Sequence, residues 1–126
     1  MTIHEKIYAR LSAYTGLTDL VGARIMPVIL GENPSLPAVS WDLQTSPVQA
    51  QEATVFMSGT LKVYGWAATH DEALAIAAQV LPALDRWTGD VIICVSTSGD
   101  SCEAVQVAPD RWNWMSETDF SIAYVA

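Results

Sequence analysis

The stretch from Ser58 to Leu84 changes from the period of a β-strand to the period of an α-helix across a single capping signal. Leu61 and Val63 alternate with polar and aromatic residues, which is the two-residue period of a strand with one buried face. Thr69 and Glu72 then have the spacing of a capping box, in which each side chain binds the backbone amide of the other at the start of a helix. This junction predicts a helix that packs back on the sheet to which the strand belongs.

Apolar residues recur at helical spacing after this cap. Leu74, Ala77, Leu81 and Leu84 form one stripe, so we expect this helix to pack through them on the apolar face of the preceding strand. Pro82 has no amide donor, and its ring crowds the carbonyl one turn earlier. A kink or an early end of the helix is therefore predicted near Pro82.

Another helix is predicted near the N-terminus, with Thr2 as its N-cap and Gly16 as its end. Its apolar stripe consists of Ile3, Ile7, Leu11 and Tyr14. Strands are predicted at 24–27, 38–45, 54–66, 91–95, 103–107 and 118–125. The segment from Ser46 to Glu52 is mostly polar or small and lacks a tight-turn dipeptide, so it is predicted to be a longer, mobile connection.

These elements predict an α+β fold with one domain over residues 1–126. The sheet is expected to be mainly antiparallel, with four to six strands and two helices packed on one face. The predicted core includes Ile7, Leu11, Leu61, Val63, Leu74, Leu81, Leu84 and Ile122.

Charge and hydropathy exclude two classes of partner. The formal net charge is -8, from 14 acidic and 6 basic residues, and the basic residues are scattered. Because phosphate binding depends on clustered Lys and Arg, nucleic acid is not expected as a specifically bound ligand. No window approaches the roughly 20 consecutive apolar residues of a membrane helix, and no signal-peptide pattern opens the chain, so we expect a soluble protein made in the cytoplasm.

The residues that usually carry chemistry have simpler explanations in this chain. Cys94 and Cys102 lie symmetrically about Ser98, where a hairpin turn would set them opposite each other, and in a reducing cytosol we expect two free thiols. The run from Gly99 to Ser101 is similar to a serine-hydrolase nucleophile motif, yet a hairpin turn explains it better. We therefore predict no catalytic residue, no cofactor and no metal site.

Five tryptophans are many for this length. Core filling is the favoured reading for Trp41 and Trp87. Trp66, Trp112 and Trp114 fall where the pattern predicts a sheet face or the start of a strand that helices leave uncovered. For Trp112 and Trp114, contact with another subunit or partner and packing in the core are both open, since aromatic residues concentrate at interface centres.

The order of these motifs resembles a known family. The run LVGARIMP from Leu20 to Pro27 follows an N-terminal helix, LPAV from Leu36 to Val39 opens a strand, and the strand-to-helix module follows. Together they resemble the tail-completion or tail-terminator proteins of long-tailed bacteriophages and prophages. The likeness spans most of the first 85 residues, and the last strand agrees in position.

The resemblance implies a structural role in the virion tail, without catalysis, after assembly in the host cytoplasm. It implies a hexameric ring at the head-proximal end of the tail tube, where the protein ends tube polymerisation and provides a docking surface for the head connector. The implied partners are copies of the chain itself, the tail tube protein and the head connector protein, while DNA passes through without specific binding. Candidate interface residues are Gln49, Ala50, Gln51, Glu52, Trp66, Trp112 and Trp114.

Three alternatives stay open at this point. The chain could be another head-tail joining or neck component of the same fold. It could instead be a small-ligand binding module, which requires a pocket with converging polar groups. A hydrolase that depends on Ser101 is the third.

Overall fold

A computed structural model describes residues 2–27, 36–50, 53–89, 92–109 and 111–125. The helices are α1 (Ile3–Ala13), α2 (Thr15–Val21) and α3 (His70–Leu84). The strands are β1 (Ile25–Pro27), β2 (Ala38–Ala50), β3 (Ala53–Ala67), β4 (Ile92–Ala108) and β5 (Arg111–Tyr124).

All five strands form one sheet in the order β1-β2-β3-β5-β4. Only the β1 and β2 pair is parallel, and the other three pairs are antiparallel. The sheet confirms the predicted α+β class and its mainly antiparallel character, and β1, which corresponds to the strand predicted at 24–27, lies at its edge. The described residues contain three helices where two were predicted, because residues 15–21 form a separate helix.

The helices cover one face of the sheet, which we call the helix side; the other is the open side. Trp41 of β2 is wholly buried on the helix side, and its indole N–H donates to Nδ1 of His4 in α1 at 3.3 Å. Leu61, Val63 and Phe120 share this core. The predicted core role of Trp41 is therefore confirmed.

The first residues of the helices were predicted from the sequence more accurately than the last residues. Thr2 caps α1 in a capping box with Glu5, and Thr69 Oγ1 accepts from the Glu72 amide at 3.2 Å. The prediction that Gly16 ends the first helix is wrong, since α1 stops at Ala13 and Gly16 lies inside α2. Pro82 lies in the last turn of α3, which ends two residues later, as the early-end prediction requires.

Six of the eight predicted core residues are buried, but Leu74 and Leu81 are exposed. The buried face of α3 is instead Ala73, Ile76, Val80, Ala83 and Leu84. Gly65 of β3 explains part of this rotation, because a Cβ there would lie 2.6 Å from Cγ2 of Ile76. The missing side chain lets Ile76 pack directly on the sheet.

The predicted connection between the second and third strands is also largely wrong. Ser46 to Ala50 continue β2, and their pairing with β3 runs from Ser58 to Ala53 with an irregularity after Val48. Cross-strand pairing overrides the weak strand propensity of this segment. The predicted positions Gln51 and Glu52 lie outside the described residues.

The predicted hairpin turn at Ser98 is wrong as well. Residues 92–108 form one strand with an irregularity between Thr97 and Gly99, and its pairing with β5 continues to Ala108 and Arg111. Cys94 and Cys102 are thus eight positions apart along one strand, about 25 Å at the rise of an extended chain. Both are free, and this spacing is several times the reach of a disulfide.

Candidate assembly surfaces

Two β-hairpins extend beyond the three-strand centre of the sheet. The β2–β3 arm, described at residues 47–50 and 53–57, starts at the last pairing of β3 with β5, which joins Met57 to Tyr124. The β4–β5 arm, described at residues 104–109 and 111–114, starts at the pairing of Ala67 with Trp114 at the other end of β3. The arms therefore project from opposite ends of the sheet.

Trp112 and Trp114 lie two residues apart on the helix side of the β4–β5 arm. Trp114 is half-buried against the core, and its ring meets that of His70, the first residue of α3, with centroids 4.8 Å apart. Trp112 is 53% exposed. One tryptophan anchors the arm to the helix, and the other presents its indole to the outside.

The exposed apolar surface continues along α3. Leu74 follows His70 by four residues, and Leu81 follows Leu74 by seven. At these spacings the three side chains share one flank of the helix. Leu74 is 44% and Leu81 40% exposed. We call the set Trp112, Trp114, His70, Leu74 and Leu81 the arm–helix surface.

A second apolar surface lies at the opposite end, on the open side of the sheet. Val48 pairs with Phe56 across the β2–β3 arm, and Val125 follows Tyr124, which pairs with the neighbouring Met57. Val48 is 37% and Val125 47% exposed. We call Val48, Phe56 and Val125 the open-side patch.

The sequence-predicted interface residues are distributed over both ends. Gln49 and Ala50 belong to the β2–β3 arm. Trp66 is half-buried on the open side, where its indole N–H donates to Ser40 Oγ at 3.1 Å. The sequence reasoning missed Leu74 and Leu81 as surface residues, because it placed them in the core.

An acidic cluster occupies the centre of the open side. Lys62 lies between Asp42 and Asp119 in the strand register, and its Nζ is 3.9 Å from Oε2 of Glu117. Burial raises the pKa of Glu117 most, followed by the hydrogen bond with Asp119 and the negative charge of Asp119. Among the described residues, Oδ1 of Asp119 is buried without a hydrogen-bond partner. Acidic groups here outnumber the single lysine, so this part of the face repels anions.

The same cluster affects Tyr64. Burial first, and then the carboxylates of Glu117, Asp42 and Asp119, raise the pKa of its phenol. The phenol therefore stays neutral at physiological pH and adds no further charge to the open side.

A groove of about 430 Å³ lies between α1 and the segment that follows α3. Its lining consists of Lys6, Ala9, Arg10, Trp87, Thr88, Gly89 and Ile92. Arg10 Nε donates to the carbonyl of Ala83 at 2.8 Å, and the guanidinium carbon lies 5.4 Å from the centre of the Trp87 ring. These contacts give Arg10 a structural task, which is to tie α1 to the end of α3.

Ser101 has no histidine beside it on its own face of the sheet. It lies exposed in β4 opposite Glu117 on the open side, whereas His70 packs on Trp114 on the helix side and His4 accepts from Trp41. Within the ranges that the structure describes, no group of three or more His, Cys, Asp or Glu could hold a metal ion. In the same ranges no helix has the length and apolarity needed to cross a membrane.

Comparison with known proteins identifies the family. The model of the tail completion protein gp17 family matches residues 5–115. The chain belongs to this family. It is therefore a phage tail-completion protein, a structural component of the virion, as the resemblance of its sequence motifs indicates. No curated protein matches the chain in sequence.

Two solved structures share the fold of this tail-completion protein. A chain from the virion of a native gene transfer agent particle superposes with a TM-score of 0.73 at 15% identity, over 94% of this chain and 91% of that one. The gp17 protein of bacteriophage SPP1 gives a TM-score of 0.54 at 18% identity, over 97% and 88%. At these identities the likeness establishes the fold alone.

Proposed function

We propose that this protein caps the head-proximal end of a phage tail tube, ends polymerisation of the tube and forms the docking surface for the head connector. Membership in the tail-completion family over residues 5–115 carries this proposal. The partners are the tail tube protein, the head connector protein and further copies of the chain in a hexameric ring. Assembly takes place in the host cytoplasm, and the product is located in the virion tail.

The two arms support an assembly role on physical grounds. A two-stranded hairpin alone is marginally stable in water, and each arm extends past the third strand that would support it. Side chains on such arms gain their packing partners on association. A ring subunit built this way can remain monomeric until the tail tube provides a template, because ordering chain segments costs roughly 1 to 2 kcal/mol per residue.

The charge distribution supports a channel that lets DNA pass. The net charge is -8, and the open side carries more carboxylates than the lone Lys62 can balance. Such a surface repels the phosphate backbone, so DNA moves by without being held.

The test is to add the protein to polymerising tail tube protein and measure tube lengths by electron microscopy. Wild-type protein should give short tubes of uniform length with a cap at one end. Trp112→Ala should give long, unregulated tubes, whereas Leu20→Ala, a matched change at an exposed leucine of α2, should cap normally.

Unregulated tubes with the wild-type protein would contradict the capping role. If that protein still binds the isolated connector, the chain is instead another head-tail joining component of the same fold. A second variant tests the β2–β3 arm: deletion of Gln49 to Glu52 should leave a folded protein that no longer caps. Normal capping by the deletion would remove the arm from the mechanism and leave the capping role intact.

A further inference from the structure

We propose that the outer edge of β4, from Asp100 to Gln106, is a docking site for an extended segment of a partner protein that carries lysine or arginine. The segment lies beside β4 as an added strand and pairs with it through backbone hydrogen bonds. This site is separate from the exposed apolar surfaces, and it does not depend on the proposed capping role.

The chain itself covers the first part of this edge. β4 is the last strand of the sheet, so no strand of the described residues lies on its outer side. The Val95 carbonyl accepts from the Arg86 amide at 2.8 Å. The Thr97 amide donates to Oδ1 of Asp85 at 3.1 Å. The segment that follows α3 therefore occupies the edge as far as Thr97.

The outward backbone groups beyond Thr97 follow from the pairing with β5. Because the Thr97 amide points outward, its pair with Phe120 is of the non-hydrogen-bonded kind, which alternates with the hydrogen-bonded kind along the two strands. The irregularity before Gly99 adds one residue, so the outward positions change from odd to even numbers. The outward amides and carbonyls therefore belong to Asp100, Cys102, Ala104 and Gln106.

This part of β4 lacks the features that usually prevent an edge strand from pairing. Natural edges are protected by bulges, prolines or lysines. The register with β5 is regular from Gly99 to Gln106, and this segment contains no proline, lysine or arginine. Asp100, Ala104 and Gln106 are exposed. An extended segment therefore meets a regular and accessible row of donors and acceptors.

Charge determines which kind of strand fits beside β4. Residues 100–106, and residues 112–118 of β5 with which they pair, contain three acidic residues and no lysine or arginine. Asp100 lies on the helix side, as does its buried partner Thr118, and Glu103 lies on the open side. A cationic side chain on either face of the added strand thus has an acidic cross-strand neighbour. A second copy, with a net charge of -8 and the same acidic edge, is repelled.

The test is binding of a short, fluorescently labelled peptide of alternating lysine and threonine, measured by fluorescence anisotropy. One control peptide has the same sequence with every amide N-methylated, which keeps the charge but removes the backbone donors. Another control has glutamate in place of lysine. We expect the lysine peptide to bind and both controls to fail.

Variants of the protein test the two parts of the contact. Ala104→Pro removes one outward N–H and should weaken binding of the lysine peptide about tenfold, whereas Ala104→Val keeps the amide and should bind as wild type does. Asp100→Asn with Glu103→Gln should weaken binding about threefold or more. Urea titration shows whether each variant folds. If Ala104→Pro does not, the methylated peptide tests the backbone contact on the wild-type protein.

Hydrogen exchange followed by NMR locates the bound peptide. The amides of Ser101, Glu103 and Val105 point toward β5, so the peptide should slow exchange only at the outward amides of 100, 102, 104 and 106. Equal binding of the methylated peptide, or unchanged exchange at the outward amides, would overturn the added strand. Self-association of wild type that Ala104→Pro abolishes and the lysine peptide does not displace would overturn the basic partner. These measurements need no tail tubes, so failure of the capping role would leave the site standing.

Discussion

The imidazole ring of His70 meets the indole ring of Trp114 edge-on, with ring centroids 4.8 Å apart. This contact joins the first residue of α3 to the base of the β4–β5 arm, so the direction of the arm is set by the helix. Trp112, two residues further out on the same face, is mostly exposed. The two tryptophans therefore have different roles despite their similar sequence setting.

Trp114→Ala should lower the free energy of unfolding by roughly 1 to 3 kcal/mol, less than the loss for a fully buried aromatic residue. Trp112→Ala should change it by less than about 0.5 kcal/mol, as for other surface substitutions. Urea titration of both variants measures the difference. Equal losses would mean that both indoles pack within the monomer, which would leave Trp112 unavailable to a partner.

The register of α3 gives a second prediction. Ile76→Ala should cost roughly 2 to 5 kcal/mol, because Ile76 is buried against the sheet at Gly65. Leu81→Ala should cost less than about 0.5 kcal/mol, since this side chain is exposed. Denaturant titration compares the two, and the reverse order would restore the core role that the sequence pattern assigned to Leu81.

That error shows what a helical pattern can and cannot determine. The start of α3 was predictable, because Thr69 and Glu72 form a local signal that depends on a few adjacent residues. The buried face was not, because Ala, Leu, Ile and Val surround most of the helix and two neighbouring stripes fit almost equally well. The choice between them depends on Gly65, a residue in another element, which only the tertiary structure brings beneath Ile76.

The strand errors have a similar cause. Ser46 to Ala50 contain only one strand-forming residue, Val48, yet they pair with β3 because that neighbouring strand continues alongside them. Gly99 and Asp100 are typical of turns, yet β5 pairs with both of them inside β4. In the candidate site, the alternating pattern puts Trp112 and Trp114 on one face but does not distinguish the exposed indole from the half-buried one. The exposed leucines of α3 depend on the packing of the helix against Gly65, and the open-side patch depends on strand pairing.

The free cysteines give a third prediction. Unfolded, unreduced protein should show two reactive thiols, because the strand separates Cys94 from Cys102. In the folded protein Cys94 should react faster with a thiol reagent at neutral pH. Burial, and then the negative charge of Glu103, raise the pKa of the Cys102 thiol, so less of it is the reactive thiolate. Thiols that react at the same rate would contradict the half-buried position of Cys102.

The acidic cluster gives the last prediction, for Glu117→Gln. The pKa of Glu117 is raised in the folded state, so folding binds its proton more tightly, and the resulting stability is present at low pH and lost as pH rises through the folded pKa. Replacing the carboxyl by an amide removes that loss. The partly exposed salt bridge between Glu117 and Lys62 restores little of the stability that wild type loses at high pH. The variant should therefore gain stability relative to wild type at about pH 8, and this gain should disappear below about pH 4, near the ordinary titration of a glutamate. Chemical denaturation of wild type and variant at a series of pH values measures this difference. A variant less stable than wild type at about pH 8 would show that the pair with Lys62 outweighs burial and repulsion.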